Sequence, residues 1–411
     1  MSEPSVVIIG GGQAAAQTAL SLRQEGFSGR VVMVAAEPSP PYQRPPLSKA
    51  FLAGQVNEEK LHIRAASIYE QSNIELRTGV SVEHIHRTDK TVRLDSGESI
   101  SFSHLVLATG SRPRRLDVPG ANHPRLLYLR TLADSLELRR HLQPRSKLVL
   151  IGGGYIGLEI ASTARSLGVA VTVLEVAPQL LSRVTSPVVG AFYQQLHQSH
   201  GVEICCGEVV TGIEGPAHQP CVTTSSGKQI EADVVVAGVG AIPNLRLALD
   251  AGLDCNIGIL VDERCRTSAP DIYAAGDCTE QASSLYKTNV RLESVPNAIE
   301  QGRTIAAAIC AKPLPARPVP WFWSDQYDVK LQTAGLHRGH DSQVIRGEPG
   351  KRSFAVYYLQ GDRLLAMDAI NRPTEFSLAK AWIVEGRSIP LDRLADDSTP
   401  PKMILAGPAE A

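Results

Sequence analysis

The chain has 411 residues, of which 43% are hydrophobic and 20% are charged, and its net charge is -1. This length and composition are typical of a globular protein with two or three domains, and the charge argues against a nucleic-acid-binding protein. No apolar run approaches the roughly 20 residues of a membrane-spanning helix, and no basic segment precedes the first apolar strand, so we expect a cytoplasmic protein without a signal peptide.

The first predicted element is an apolar strand that runs into a glycine cluster, in the segment VVIIGGGQAA from Val6 to Ala15. A helix and then a strand over residues 30–35 are predicted after it. Such a turn is typical of dinucleotide binding, because the backbone must approach a pyrophosphate closely and the helix N-terminus attracts the phosphate charge. Gly10 and Gly12 supply the glycines, and Ala15 takes the place of a third.

The same pattern recurs in the segment LVLIGGGYIG, from Leu148 to Gly157. Gly152, Gly154 and Gly157 complete the glycine pattern, and a helix over 156–167 is predicted after them. Two such turns predict two adenine dinucleotides bound at once. The simplest reason to hold two is to pass electrons between them.

An acidic residue is expected about 20 residues after each turn, at the end of the next strand, where it would bind ribose hydroxyls. Glu37 follows the first turn in this way, and Glu175 follows the second. Glu175 is the better match because the predicted strand over 170–175 ends on it. It favours NADH over NADPH, since a carboxylate repels a 2′-phosphate.

Proline and glycine mark the remaining predicted elements. The prolines of the segment PPYQRPPLSK, over residues 40–49, prevent a regular helix before the last of them, and we expect a helix from about Ser48. A buried strand that ends in a glycine turn is predicted over residues 105–113. A later strand reaches a corner at Gly276 and Asp277, and Pro296 is expected near the start of a helix. Residues 353–371 read as a hairpin, followed by a helix over 373–385.

The Gly-Asp corner at residues 276–277 is not expected to form a third nucleotide site. It is explained if it belongs to the first nucleotide domain and a second domain is inserted into that domain's sequence. We therefore predict an α/β fold with two Rossmann-like dinucleotide-binding domains, one inserted in the other, plus a C-terminal α+β domain. The predicted FAD domain comprises residues 1–112 and 246–322, the NADH domain 113–245, and the C-terminal domain 323–411.

Nearly the whole chain resembles the FAD-dependent ferredoxin reductases of the putidaredoxin reductase type. The segments that carry the resemblance are PYQRPPLSK, LVLATGSRPR, YLRT, IGGGYIGLE, AGVGAIPN, IYAAGDC, RLESVPNA and PWFWSDQY. The resemblance implies a fold like that of glutathione reductase, without its redox disulfide. It also implies FAD, NADH and a two-iron ferredoxin that serves a haem-thiolate monooxygenase or a Rieske-type dioxygenase, and we expect a monomer.

The resemblance also assigns residues to the two nucleotides. Those expected at FAD are Gly10, Gly12, Ala14, Ala15, Glu37, Arg44, Lys49, Val82, Arg130, Gly276, Asp277 and Val295. Those expected at NADH are Gly152, Gly154, Tyr155, Ile156, Gly157, Glu159, Glu175, Arg183 and Gly240. The family usually places its FAD-ribose acid one position earlier, where this chain has Ala36, so either Glu37 substitutes after a small backbone adjustment or the ribose contact is weaker.

Three side chains are expected to be catalytic: Lys49, Glu159 and Trp323. The Lys49 amine would lie beside flavin N5 and pair with Glu159, which would keep the lysine charged and favour the negative charge of reduced flavin. Trp323 would lie near the isoalloxazine ring. Each of these residues has a structural alternative. Lys49 could be a solvated lysine, Glu159 could be a carboxylate that the helix dipole stabilises without any chemical role, and Trp323 could pack between domains.

Metal chemistry is not expected. The seven cysteines include no CxxC pair, which argues against a zinc ribbon or an iron–sulfur cluster and favours free thiols. Two histidine pairs, His197 with His200 and His337 with His340, lack carboxylate or thiol neighbours in sequence, so we expect solvated side chains.

Two other functions remain open at this point. An NADH oxidase or peroxidase would need a cysteine near position 42, where this chain has Tyr42. A redox-sensing flavoprotein that works by binding a partner, like relatives of apoptosis-inducing factor, would favour a long C-terminal insertion or a targeting segment.

Overall fold

The structure, a computed structural model, describes residues 3–405 and divides into two compact units. The first unit contains the segments Met1–Gln43, Asn57–Arg112 and Ala241–Pro318. The second contains the segments Arg44–Val56, Pro113–Gly240 and Val319–Ala411. The fold is mixed α/β with parallel sheets, as the sequence predicts, while the boundaries of the three predicted domains stay a prediction.

The first unit is built on a five-stranded parallel sheet. In spatial order its strands are Ile272–Ala274, His104–Leu107, Ser5–Ile9, Arg30–Ala35 and Ile74–Thr78. The inner strands are continuous apolar runs because both faces of such a sheet are covered. Counted along the chain, the order 3-2-1-4-5 is that of a dinucleotide-binding fold.

Smaller elements complete the first unit. Its helices are Gln13–Gln24, Ala66–Gln71, Arg246–Asp250 and Val295–Ile309, with a 3₁₀ turn at Glu59–Leu61. Its small sheets consist of the strands Val82–His86, Thr91–Leu94 and Ser99–Ser101, and of Ile259–Val261, Thr279–Ser283 and Thr288–Val290; Ser111–Pro113 and Ala241–Pro243 form a further pair.

The second unit repeats the parallel sheet with the strands Glu203–Cys206, Ala170–Glu175, Lys147–Ile151, Val234–Ala237 and Leu126–Leu127 in spatial order. The helices around it are Leu132–His141, Tyr155–Ser166 and Pro187–Ser199, and the strands Val210–Glu214, Cys221–Thr224 and Gln229–Glu231 form a small antiparallel sheet. The predicted strand over 170–175 is confirmed, and the predicted helix is confirmed with its start one residue earlier.

An antiparallel sheet of five strands forms the rest of the second unit. In spatial order the strands are Trp321–Gln326, Val329–Gly335, Arg363–Ile370, Ser353–Gln360 and Ser342–Glu348. The predicted hairpin over 353–371 and the helix Pro373–Glu385 are confirmed, and the helix Leu391–Ala395 follows, with 3₁₀ turns at Pro349–Lys351 and Pro401–Met403. Across residues 3–405, no helix combines the length and the apolar character that a membrane crossing requires.

One local prediction is wrong. The expected helix from Ser48 is a 3₁₀ turn, Pro45–Ser48, which stops because Lys49 adopts the non-helical angles φ −126° and ψ −118°. The buried strand expected to end in a glycine turn over 105–113 is confirmed as the strand His104–Leu107, and Gly110 in the turn after it has φ +63°.

Candidate functional site

The first glycine turn follows the central strand of the first unit. Gly10 has φ +139°, and a Cβ there would collide with the carbonyl oxygen of Ala108. Gly12 precedes the helix Gln13–Gln24, whose first turn no side chain caps. Its amide groups are therefore open to an external anion, and a Cβ at Gly12 would meet nothing within 4 Å. This backbone fits the phosphates of a dinucleotide.

Glu37 lies just beyond the strand Arg30–Ala35. Its carboxylate accepts a hydrogen bond from the hydroxyl of Tyr42, which is buried. Ala36, at the position where the family usually has its acid, is exposed. The tyrosine therefore fixes the side chain of Glu37, and the contact of Glu37 with a ribose stays a prediction.

The Gly-Asp corner lies at the same edge of the first sheet, because both follow the carboxyl ends of parallel strands. Gly276 has φ +86°, and a Cβ there would lie 3.3 Å from that of Ala14. The amide of Gly276 donates to the side chain of Gln301 at 2.7 Å, and the hydroxyl of Ser111 donates to the Asp277 carboxylate at 3.0 Å. These contacts fix the corner next to the glycine turn.

Two other residues predicted for FAD are the first residues of their elements in the first unit. Val82 begins the strand Val82–His86, and Val295 begins the helix Val295–Ile309. The hydroxyl of Ser294 caps that helix by accepting a hydrogen bond from an amide of its first turn at 3.3 Å. The role of this helix start at the flavin stays a prediction.

The second glycine turn has the same construction. Gly152 has φ +108°, and a Cβ there would lie 2.5 Å from the carbonyl oxygen of Gly238. A Cβ at Gly157 would lie 2.5 Å from the carbonyl oxygen of Gly152 itself. Gly154 precedes the helix Tyr155–Ser166, which no side chain caps, and a Cβ there would meet nothing within 4 Å. The turn leaves an anion site next to Gly154.

Other residues predicted for NADH surround this turn. The Glu175 carboxylate accepts hydrogen bonds from the amides of Gly153 at 2.5 Å and Ala177 at 2.8 Å. Ile156 is 52% exposed in the first turn of the helix, although it is apolar. Tyr155 packs instead against Phe322, with ring centroids 4.5 Å apart.

The two remaining residues predicted for NADH lie farther along the chain. Arg183 is exposed in the segment after Glu175. Gly240 has φ +108°, and its carbonyl accepts a hydrogen bond from the amide of Arg114 at 2.9 Å.

An ion pair in the second unit joins two of the predicted catalytic residues. The Lys49 amine lies 2.5 Å from the carboxylate of Glu159, which is 6% exposed. The same carboxylate accepts hydrogen bonds from the hydroxyls of Ser48 at 2.6 Å and Ser324 at 2.7 Å. A buried carboxylate with three donors has its charge compensated, so the pair predicted from the sequence is confirmed as a contact.

The helix Tyr155–Ser166 organises this ion pair. Glu159, Ser162 and Thr163 lie on one helix face because residues three and four apart are neighbours. The Thr163 hydroxyl donates to the carbonyl of Ser48 at 2.8 Å, and the Ser162 hydroxyl accepts from the amide of Tyr327 at 2.8 Å. Both the lysine segment and the end of the strand Trp321–Gln326 are therefore fixed to the helix.

Trp323 lies on the strand Trp321–Gln326 and is partly buried. Its ring lies 5.6 Å from that of Trp321. Two residues predicted for FAD, Arg44 and Arg130, also lie in the second unit, where the Arg44 guanidinium donates to the Arg130 carbonyl at 2.6 Å. Their contacts with FAD stay predictions.

His197 corrects the expectation of solvated histidines. It is completely buried, its Nε2 lies 2.8 Å from the side-chain oxygen of Gln326, and its Nδ1 lies 3.2 Å from the Tyr327 hydroxyl. Sequence reasoning missed this because both partners come from the C-terminal sheet. Among residues 3–405, no group of three or more histidine, cysteine and acidic side chains has the arrangement of a metal site.

The burial of His197 predicts a pH-dependent stability. Burial lowers the pKa of His197 to about 4, so the unfolded chain, with an ordinary pKa near 6.5, takes up this proton first. The contribution to stability is therefore complete above about pH 6.5 and is lost as the pH falls toward 4. Between pH 7 and pH 5 it corresponds to about 2 kcal/mol.

Urea unfolding of wild type and His197→Gln at these two pH values checks this prediction. The wild type should lose more unfolding free energy than the variant, by about 2 kcal/mol. Tyr193→Phe, one turn away on the same helix, should behave like wild type. Equal losses in all three proteins would contradict the assignment.

The chain is similar to known oxidoreductases over almost its whole length. Residues 4–302 match the family described as pyridine nucleotide-disulphide oxidoreductase, and residues 321–405 match the one described as reductase C-terminal. The chain is 45% identical to putidaredoxin reductase of Pseudomonas putida, covering 98% of this chain and 97% of that protein. It is 41% identical to rhodocoxin reductase of Rhodococcus erythropolis, covering 98% and 94%.

Solved structures agree with these similarities. The reductase in the covalent putidaredoxin reductase–putidaredoxin complex superposes with a TM-score of 0.95 at 44% identity, covering 98% of each chain. The two glycine turns, the acids that follow them and the C-terminal sheet all lie inside the matched regions. The chain therefore belongs to the pyridine nucleotide-disulphide oxidoreductase family and, within it, to the ferredoxin reductases of the putidaredoxin reductase type.

Proposed function

We propose that this chain is an FAD-dependent NADH:ferredoxin reductase whose electron acceptor is a two-iron ferredoxin. One observation carries the proposal: the chain contains two uncapped glycine turns of the same construction, each followed by a hydrogen-bonded glutamate. When bound, FAD supplies the chemistry that a protein side chain lacks, since it accepts a hydride from NADH and returns single electrons to a one-electron carrier.

Most of the residues that would bind FAD lie in the first unit. The turn with Gly10 and Gly12 would hold the pyrophosphate with backbone amides and the positive end of a helix dipole. Glu37, held by Tyr42, would accept from the adenosine ribose, and Asp277, held by Ser111, would accept from the ribityl chain. Each carboxylate already has a donor that fixes its position, which reduces the entropy lost on binding.

The residues of the second unit would bind NADH and fix the charge at the reacting centre. The turn at Gly154 would hold the dinucleotide phosphates, and Glu175 would accept from a ribose. Lys49 would present a positive charge where negative charge develops on the flavin, and Glu159 would hold that lysine in its orientation. The role of Trp323 would be to cover the ring system and exclude water.

The direct test of this function is turnover of NADH with and without a two-iron ferredoxin. We expect steady NADH oxidation only when the ferredoxin is present, with slow consumption in air alone. Rapid consumption in air without ferredoxin would instead indicate an oxidase. The structure offers no support for that alternative, because Tyr42 stands at the position of the required cysteine and is bonded to Glu37.

The choice between NADH and NADPH tests Glu175. The substitution Glu175→Gln keeps a side-chain oxygen that accepts from the amide of Gly153 but removes the charge that repels a 2′-phosphate. We expect the preference for NADH over NADPH, measured as the ratio of kcat/KM values, to fall about tenfold, equivalent to about 1.4 kcal/mol. Glu203→Gln removes a carboxylate from the opposite end of the neighbouring strand and should leave the ratio unchanged. An unchanged ratio in Glu175→Gln would remove this residue from the ribose site.

We propose a cytoplasmic electron-transfer role in which the reduced ferredoxin serves a haem-thiolate monooxygenase or a Rieske-type dioxygenase. Reconstitution with each kind of oxygenase, each with its own ferredoxin, would distinguish these two uses.

A further inference from the structure

A line of hydrogen bonds leads from the ion pair into the interior of the second unit. Ser324 lies 2.7 Å from the Glu159 carboxylate, and the side-chain nitrogen of Gln326 lies 3.1 Å from the Ser324 hydroxyl. His197 Nε2 lies 2.8 Å from the side-chain oxygen of Gln326, and the Tyr327 hydroxyl lies 3.2 Å from His197 Nδ1. Ser324, Gln326 and His197 are at most 1% exposed.

The chemistry of these groups fixes the direction of every bond. Glu159 forms an ion pair with Lys49, and a carboxylate can only accept hydrogen bonds, so the Ser324 hydroxyl must donate to it. With its only proton used, Ser324 must accept from the amide nitrogen of Gln326. The amide oxygen of Gln326 then faces His197 and must accept from Nε2.

The same logic determines the protonation of the histidine. If Nε2 of His197 carries the proton, Nδ1 of the neutral ring is an acceptor, and the Tyr327 hydroxyl donates to it. Burial also favours the neutral ring. Each donor in the line therefore points toward Glu159. A protonated Glu159 could donate to Ser324 and reverse the line, so the tautomer of His197 depends on a charge three hydrogen bonds away.

We propose that Ser324, Gln326 and His197 are positioning residues for the Lys49–Glu159 pair: their aligned hydrogen bonds hold the Glu159 carboxylate in place and directed toward the lysine. Hydrogen bonds in a chain polarise one another, and their dipoles all present a positive end to the carboxylate. The catalytic consequence rests on the proposed function, whereas the direction of the line does not.

The line fixes geometry and does not conduct protons. The Gln326 amide has no group that titrates, so a proton cannot readily pass through it between His197 and Ser324. The position of these residues in the sheet supports a structural coupling instead. Ser324 and Gln326 are two positions apart on one strand and share a face, while Trp323 and Asp325 project from the opposite face. The hydrogen bond from Ser324 thereby holds the strand that carries Trp323 against the helix that carries Glu159.

Nitrogen NMR of the holoenzyme tests the direction without any turnover. With ¹⁵N-labelled histidine, the His197 signals are identified by their loss in His197→Gln. We expect Nε2 to be protonated and Nδ1 unprotonated at pH 7. In Glu159→Gln, the new amide can rotate to donate to Ser324, and we expect the proton to move to Nδ1 in a measurable fraction of molecules. A His197 ring that carries its proton on Nδ1 in the wild type would overturn the proposal.

Rapid mixing of the anaerobic holoenzyme with NADH tests the consequence. In Ser324→Ala, the limiting rate of flavin reduction should fall at least about tenfold, while the apparent Kd for NADH stays within about twofold, since a hydrogen bond to a charged group is lost. Ser324→Thr retains the hydroxyl and should recover most of the rate. Tyr193→Phe removes a buried hydroxyl that has no hydrogen-bond partner among residues 3–405, and it should match wild type.

Comparison with Lys49→Met separates two kinds of failure. If Lys49→Met is slow and Ser324→Ala has the wild-type rate, the positioning role is wrong and the proposed function stands. If both variants have the wild-type rate, the catalytic role of the ion pair is wrong as well. If Ser324→Ala does not fold, the tautomer of His197 in the wild type still decides the direction of the line.

Discussion

Replacing Lys49 with methionine will slow the reduction of bound flavin by NADH about 100-fold or more, with FAD content and the apparent Kd for NADH little changed. Methionine keeps the length of the side chain and removes the charge that stabilises the developing anion. It also leaves the buried Glu159 carboxylate without its cation, at 6% exposure. Single-turnover mixing under anaerobic conditions measures this rate directly.

Three variants make this result specific. Lys330→Met removes an exposed lysine that pairs with Asp325 at 3.7 Å, and it should reduce at the wild-type rate. Lys49→Arg restores a positive charge and should recover part of the rate. Lys49→Met combined with Glu159→Gln should be more stable than Lys49→Met alone, because no unpaired charge then stays buried. A normal rate in Lys49→Met would contradict the catalytic role.

Replacing Gly154 with alanine will weaken NADH binding at least about tenfold while the fold and the FAD spectrum remain those of wild type. Within the protein itself an alanine fits, since a Cβ at this position meets nothing within 4 Å and the residue has φ −83° and ψ 176°. The space is open because the second glycine of such a turn allows the backbone to approach a pyrophosphate. A Cβ would therefore meet the ligand and not the protein.

The control for this variant is Gly350→Ala, which adds a Cβ at a glycine that is equally free of neighbours. Its apparent Kd for NADH and its thermal midpoint should equal those of wild type. Gly157→Ala is a second comparison, because a Cβ there would press on the carbonyl oxygen of Gly152 and should lower stability as well as affinity. Wild-type affinity in Gly154→Ala would exclude this turn from the NADH site.

The sequence predicts those parts of the site that depend only on residues close together along the chain. Positive φ angles at Gly10 and Gly152 restrict those positions to glycine, and a strand that ends in an acid places Glu175 next to its turn whatever the rest of the chain does. The hairpin over 353–371 is equally local, since alternating residues flank a short turn.

The parts that do not follow from the sequence are contacts between distant segments. Ser48 is 111 positions from Glu159 along the chain, and Ser324 is 165 positions from it, so no spacing rule relates them. The histidines illustrate the same limit, because the polar spacing of His197 and His200 favours a solvated face. The C-terminal sheet nevertheless covers His197 and supplies Gln326 and Tyr327 as its partners.

The resemblance to known reductases adds what physical reasoning from the residues leaves open. No spacing rule relates Lys49 to Glu159, and the Lys49 backbone is non-helical next to Ser48, whose carbonyl accepts from the distant Thr163 hydroxyl. Only the match to PYQRPPLSK and IGGGYIGLE predicts that this lysine and Glu159 form a pair. The structure confirms the contact at 2.5 Å, and its role in hydride transfer is the proposal that the variants above test.

Anaerobic titration of the purified holoprotein with NADH, and separately with NADPH, shows whether one chain binds FAD and NADH at the same time. If one chain binds FAD tightly and NADH at a second site, the protein is yellow, and about one equivalent of NADH per chain bleaches it, whereas NADPH acts far more slowly. Addition of oxidised two-iron ferredoxin should then restore the colour. A colourless protein that does not take up FAD, or a yellow protein that NADH does not bleach, would exclude an FAD-dependent NADH:ferredoxin reductase.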